Sequence, residues 1–357
     1  PAEAKEVAAF LATSAGGAIA RLVLNGNTVT NYGKDLSGLT ALCDVLPALK
    51  NPISLELANC NLKVAEVNEL ARAMAAGAAI ASLDCSKNNA ITGKRVNDER
   101  TAYVYGEQLE GWLGLCSSLS GTSITSLNFS GCELKSEALT PLADAIKLMG
   151  ALNDVNVAFN KIGAEGGIAL RDALKTSSVK FVGIGKMYTT GEDGSAVTYS
   201  QLTPGVTLST DGRSGEFLKF HDTSPSHMKL KWTDNGTESE WMELNSLDAV
   251  PLKLPLQSPF EGEHLDLSMQ QLDPGHIMIL SWWLTTEFSG ALTSINCLAN
   301  KFGDDDLATL VAAIEGTSVR SLCGLTEGQT TADFSGQNLG PMDCKIIAAE
   351  YGFQGFI

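Results

Sequence analysis

The chain has 357 residues, 44% of them hydrophobic, and a formal net charge of −16 from 25 basic and 41 acidic residues. It is long enough to bury one elongated or two compact cores without staples. Its acidity argues against phosphate backbones and anionic membrane surfaces as partners and favours basic proteins or plain solubility.

No stretch of about 18 apolar residues occurs, and the start "PAEAKEVAAF" lacks a basic segment followed by an apolar one, so neither a membrane span nor a signal peptide is expected. Pro1 suits a chain whose initiator methionine was trimmed, and a fragment or matured product would look the same. In the first element, Val7, Ala8, Phe10 and Leu11 space apolar side chains along a helix that would cap one end of a core. A phrase then recurs: "LVLNGNTV" at Leu22, "LELANCNL" at Leu55, "LDCSKNNAI" at Leu83, "LNFSGCEL" at Leu127 and "VNVAFNKI" at Val155. Both Leu55 to Leu83 and Leu127 to Val155 span 28 residues.

Alternation places Leu55 with Leu57, Leu83 with Cys85, and Leu127 with Phe129 on one side of a short strand, leaving Glu56, Asp84 and Asn128 facing out. Asn59, Asn88, Asn160 and Asn300 are expected to hydrogen-bond backbone groups of neighbouring turns. "EVNELARAMAAG", "EALTPLADAIKLMG", "GGIALRDALKTS" and "DDLATLVAAIEGTS" then carry helical spacing and end in Gly or Ser.

Between Leu83 and Leu127 the interval grows to 44 residues. The surplus, an insertion at 92–106, carries Arg95, Arg100, Tyr103 and Tyr105 and reads either as a binding loop with aromatic and arginine anchors or as a solvated excursion. After a strand at 179–185 the pattern changes to period two, "GVTLS", "EFLKFHD", "HMKLKWT" and "EWMEL", with hairpin chemistry between, so 186–255 is expected to be a small antiparallel β domain. Its layout looks like a small barrel of the Tudor or Src-homology kind. Trp232 and Trp241, with Tyr199, Phe217 and Phe220, would line either a ligand cage or the barrel's own core. The phrase returns as "LDLSMQQL" at Leu265 and "INCLANKF" at Ile295, 30 residues apart. The tail from 318 adds a loop between a strand at Leu322 and a second phrase at Phe334, as a capping repeat would.

The strand-plus-helix period with cysteine or asparagine at the turn, as at Asn59-Cys60 and Gly131-Cys132, resembles leucine-rich repeats of the ribonuclease-inhibitor type. The tail resembles that of leucine-rich-repeat proteins abundant in unicellular algae and other protists. The resemblance implies an α/β solenoid, a horseshoe with parallel strands on the concave side and helices on the convex side. It also implies cytosolic protein binding, and it brings no catalytic residues.

The residues point the same way. Eight cysteines are scattered without a Cys-x-x-Cys pair or a histidine at ligand spacing, which suits buried reduced thiols in the cytoplasm or another reducing compartment, an organelle stroma or flagellum included. Of the four histidines, His264 beside Asp266 is the best general-base candidate, yet alternation puts both on an exposed face. "GAEGG" and "GEDGS" lack the Lys-Ser/Thr of a phosphate loop, and "DDDL" at 304–307 suits a helix start better than a calcium loop. No catalytic group, metal or cofactor is assigned.

The outward strand positions, among them Arg21, Val23, Glu56, Asp84, Asn128, Asn156, Ala158, Asp266, Ser294, Asn296 and Leu298, hold one arginine and no tryptophan or tyrosine, so this face lacks the usual interface anchors. The expectation is therefore a horseshoe of N-terminal repeats (1–185), an inserted barrel (186–255) and C-terminal repeats with a cap (256–357). It serves as a non-catalytic scaffold or adaptor in a larger assembly of proteins, without nucleic acid. The other possibility is a recognition module that takes a peptide or small ligand on the concave face or the barrel.

Overall fold

A computed structural model describes residues 1–96, 102–190, 195–334, 337 and 339–350. The protein is mixed α/β, with parallel strands and helices alternating along much of the chain. It divides into two compact units. One comprises Pro1–Val182, Pro255–Ser258 and Asp273–Ile279, and the other Gly183–Leu254, Pro259–Leu272 and Leu280–Ile357.

In the first unit the strands Arg21–Val23, Ile53–Glu56, Ile80–Asp84, Ser126–Asn128 and Asp154–Asn156 lie side by side in parallel. The first apolar residue of each phrase pairs with that of the next: Leu22 with Leu55, Leu55 with Leu83, Leu83 with Leu127, and Leu127 with Val155. A fixed repeat thus becomes a fixed register, because one slipped residue would turn the buried leucines to the outer face.

The turn after each strand has a constant geometry. The residue four after the leading apolar one is left-handed in every phrase: Gly26, Asn59, Lys87, Gly131 and Phe159 here, Met269 and Ala299 in the second unit, with φ between 54° and 74°. Except at Asn27, which is exposed and bonds within its own phrase, the next residue turns inward and reaches the preceding turn or strand. Asn88 donates to the Leu57, Cys85 and Ser86 carbonyls and accepts from the Leu62 N–H. Asn160 does the same with Phe129, Val157, Ala158, Cys132 and Leu134. Asn300 repeats the set with Leu267, Cys297, Leu298 and Leu272.

Where the inward residue is cysteine, its thiol donates to one carbonyl of the preceding phrase, Cys60 to Leu24 and Cys132 to Cys85. A thiol has no amide arm for the two backbone groups beyond. The residue after the inward one is also left-handed at Asn61, Glu133 and Gln271, the first two after a cysteine and the third after the amide of Gln270. This corrects one expectation: Asn59 is exposed and supplies the left-handed turn, while Cys60 occupies the ladder.

Helices Val64–Ala75, Glu110–Leu119, Ser136–Leu148 and Gly163–Leu174 cover the core with Val67, Leu70, Trp112, Leu139, Leu142 and Leu170, all at most 1% exposed. The N-terminal helix Ala2–Leu11 buries Ala4, Ala8 and Leu11, whereas Phe10, expected inside, is exposed.

In the second unit Arg213–His221 pairs antiparallel with Thr207–Thr210 on one side and Ser224–Trp232 on the other, and Met242–Glu243 completes a four-stranded sheet. Its separate core contains Tyr188, Tyr199, Leu208, Phe217, Met228 and Leu230, with Phe220 and Trp232 packed at its edge. The Asp248 N–H donates to the Ser209 carbonyl and the Asp248 carbonyl accepts from Thr189, so the segment leading into Ala249–Pro255 links this sheet to the strand Phe181–Thr190. The parallel pair His264–Asp266 and Ser294–Asn296 matches Leu265 to Ile295. The tail forms isolated bridges at Ser321 and Cys323 rather than a full strand, then the helix Pro341–Glu350.

Candidate functional site

The insertion at 92–106 leaves the repeat as a β-hairpin, Lys94–Val96 against Tyr103–Tyr105, with Lys94 opposite Tyr105 and Val96 opposite Tyr103. Two glycines make the exit and return possible. Gly93 (φ 86°) and Gly106 (φ 82°) are left-handed, and a Cβ on Gly93 would meet the Gln108 side chain at 2.8 Å. The Gly106 N–H donates to the Gly93 carbonyl and the Gln108 N–H to Thr92, which closes the base.

Of the predicted contact residues here, three are brought together and one lies outside the described residues, namely Arg100. Arg95 forms a two-armed ion pair with Glu107, at 2.5 and 3.1 Å. The arginine's hydrogen bonds hold the Glu107 carboxyl below its ordinary range. Lys94 Nζ stands 4.0 Å from the Tyr103 ring centroid and 5.4 Å from that of Tyr105, the two rings being 6.4 Å apart. Tyr103 is 59% exposed and Val96 47%. Between the hairpin and the turn at 61–65 runs a groove of about 550 Å³, lined by Lys63, Val64, Lys94, Val96 and Tyr103 among others. Lys63 Nζ donates to the Tyr32 carbonyl, and the Lys135 stem lies 3.3 Å from where a Gly106 Cβ would stand. A chain of net charge −16 therefore gathers lysines around one aromatic, partly apolar projection.

The tryptophans of the antiparallel sheet have different surroundings. Trp232 packs at the edge of the core with the Arg213 guanidinium 3.9 Å from its ring, and Arg213 is held in turn by Asp234. Trp241 is 38% exposed, edge-on to His221 at 4.6 Å, with Lys229 and Lys219 at 5.4 and 5.7 Å. Tyr199 and Phe217 lie in the core, where the partly buried Phe220 stacks on Tyr199 and meets Phe217 edge-on.

The outward strand positions are largely spent on the fold. Asp84, Asn128, Asn156, Asp266 and Asn296 each accept the backbone N–H two residues on, and Asn128 also donates to Asp84. Arg21 pairs with Glu56, which also accepts from Asn25. Contrary to the expectation of an open face, Asn156, Ala158, Ser294, Asn296 and Leu298 are buried. Asp266 does not engage His264; it accepts from the Ser200 N–H and hydroxyl, at 3.1 and 2.6 Å.

One polar constellation escaped sequence reasoning. His276, fully buried, bonds through Nδ1 to Asp273 at 2.8 Å; Asp273 caps the helix Pro274–Leu284 by accepting from the Gly275 and His276 N–H groups, and it also accepts from the Gly163 N–H at the start of the helix Gly163–Leu174. Burial alone would raise the Asp273 pKa, but the His276 bond and charge and the donated N–H groups bring it below the ordinary value. The signal was the Asp-Pro-Gly-His start, a helix N-cap followed by Pro at N1.

Burial pushes the Cys43, Cys116, Cys132 and Cys323 thiols up to about 12. Such thiols are not nucleophiles near neutral pH. Among the described residues no group of three or more His, Cys, Asp or Glu is placed to hold a metal, and no helix is long and apolar enough to cross a membrane. Compared with known protein families and with curated proteins, the chain matches none.

Proposed function

We propose that this protein is a non-catalytic protein–protein interaction scaffold, a structural or adaptor subunit. In this reading the repeating units form a leucine-rich-repeat solenoid of the ribonuclease-inhibitor type, and the antiparallel insert is a small barrel carried by it. The observation that carries the proposal is the hairpin Lys94–Val96/Tyr103–Tyr105. It interrupts an otherwise regular repeat, projects Val96 and Tyr103 with about half their surface exposed, and borders a groove of about 550 Å³. Exposed apolar and aromatic groups beside fixed cations are what interface anchors look like.

Because Lys63 and Lys94 line the groove and Lys135 lies beside Gly106 at the base of the hairpin, the partner is a protein segment that brings carboxylates and apolar side chains together. The net acidity of the chain suggests basic partners elsewhere on its surface. The outward strand residues, tied to their own turns, serve as spacing. A reducing compartment suits the buried thiols.

The test is Val96→Asp with Tyr103→Ala, read by light scattering of the protein purified with its native partners. The double variant is expected to keep its melting temperature and to elute alone. An assembly of unchanged mass and stoichiometry would remove the hairpin from the interface.

A further inference from the structure

Above the parallel pair His264–Asp266 and Ser294–Asn296 lies a pocket of about 200 Å³, bordered also by the short helical turn Tyr199–Gln201. Its hydrogen-bonding inventory is lopsided. Asp266 already accepts from Ser200 N–H, Ser200 Oγ and Ser268 N–H, which leaves one acceptor position on Oδ1. Gln201 spends its Oε1 on the Thr198 N–H and hydroxyl, so its NH2 group has no partner among the described residues. Asn296 spends its Oδ1 on the Leu298 N–H and likewise keeps its NH2 unspent. Ser294 is 1% exposed, and its hydroxyl has no partner at all among the described residues. A buried hydroxyl left unpaired destabilises the fold, so its place on a pocket wall calls for a ligand.

We propose that this pocket binds a neutral polyhydroxyl ring, a monosaccharide-sized ligand. Three donor-bearing residues on two segments line it, Gln201 on the helical turn and Ser294 and Asn296 on one strand, with the exposed His264 imidazole beside them. A single carbonyl accepts two such bonds, whereas a ring bearing several oxygens accepts all of them and returns one hydroxyl to Asp266. A carboxylate ligand is opposed by the Asp266 charge and by the −16 of the chain. A cation finds mostly N–H and O–H donors. The volume fits one ring and not two. Among the described residues no aromatic side chain lines the pocket, so weak binding is expected.

This site is separate from the hairpin and stands or falls independently of the scaffold reading. The experiment is saturation-transfer NMR on the full chain with methyl glucopyranoside, methyl galactopyranoside and myo-inositol, and with acetate and methylguanidinium as charged controls. At least one polyol is expected to bind with a dissociation constant of about 1–10 mM and the charged probes not at all. A glycoside preferred over inositol would point to the end of a glycan, the reverse to a free polyol.

Gln201→Glu keeps the Oε1 bonds to Thr198 and exchanges the free donor for an acceptor, so it is expected to weaken binding at least tenfold. Ser294→Ala removes a buried hydroxyl that holds nothing in the fold, so it is expected to weaken binding about threefold while the melting temperature does not fall. No polyol signal, polyol binding unaltered in both variants, or competition by either charged probe would overturn the proposal.

Discussion

Asn160 and Trp241 show how differently two regions of this protein use side chains. Asn160, at the turn after a parallel strand, makes five hydrogen bonds to backbone groups and is 3% exposed. Trp241, just before the antiparallel strand Met242–Glu243, has the His221, Lys219 and Lys229 side chains around its ring and keeps 38% of its surface in solvent. In the repeats a polar residue is conscripted by the backbone, so little is left over for a partner. In the insertions, the fold is held by alternate apolar residues and the rim stays available.

The largest expected effect separates the two roles most sharply. Asn160→Ala leaves the Phe129 carbonyl and the Cys132 and Leu134 N–H groups without this partner and is expected to cost about 3–5 kcal/mol in denaturant unfolding. Asn59→Ala, at an exposed left-handed position (φ 54°), should cost only about 1 kcal/mol, the price of a left-handed alanine. Equal losses would mean that the ladder assignment is wrong.

Alkaline pH offers the next test. Cys43, Cys116, Cys132 and Cys323 are raised by burial from 9.0 to about 12. The unfolded chain therefore loses these protons at lower pH than the folded one, and stability present below pH 9 is lost as pH rises toward 12. The thermal midpoint should fall across that window. Asp273, whose pKa is lowered, acts in the opposite direction, contributing stability that is lost as pH drops below the ordinary carboxylate range.

A smaller effect is chemical. Seven thiols are buried and Cys344 is exposed, so the native protein should take up one equivalent of a thiol reagent at neutral pH, and Cys344→Ser should abolish that uptake. Least of all, Trp241→Ala is expected to change stability by under about 0.5 kcal/mol while removing the fluorescence component most accessible to iodide.

Much of the repeat was legible because its period does two jobs at once, alternation for the strand and spacing for the helix. The five phrases of the first unit lie on parallel strands with their leading residues in register, and so, as a separate pair, do the two of the second unit. Asn59 was misplaced because two amides flank Cys60, and only backbone dihedrals distinguish the turning residue from the inward one. The helix Pro274–Leu284 went unnoticed because it is apolar all round. Ile277, Ile279, Leu280 and Trp283 are all fully buried, so no polar face marks its period.

Alternation also says which side Ser294, Asn296 and Leu298 point to, but not what covers them. The pocket at Ser294 depends on 198–201 and 264–266 meeting 294–296, a convergence without a local signature. The hairpin was visible as surplus length, and the pairing of Arg95 with Glu107 needed coordinates.

The most direct test of the scaffold account is a crosslink map of the native assembly, with photoreactive groups placed singly at Val96 and, as a control on the outward face of a parallel strand, at Glu56. The account predicts a stoichiometric crosslink to one partner from position 96 and none from position 56. Crosslinks confined to position 56, or a protein that is monomeric and uncrosslinked at both, would contradict it.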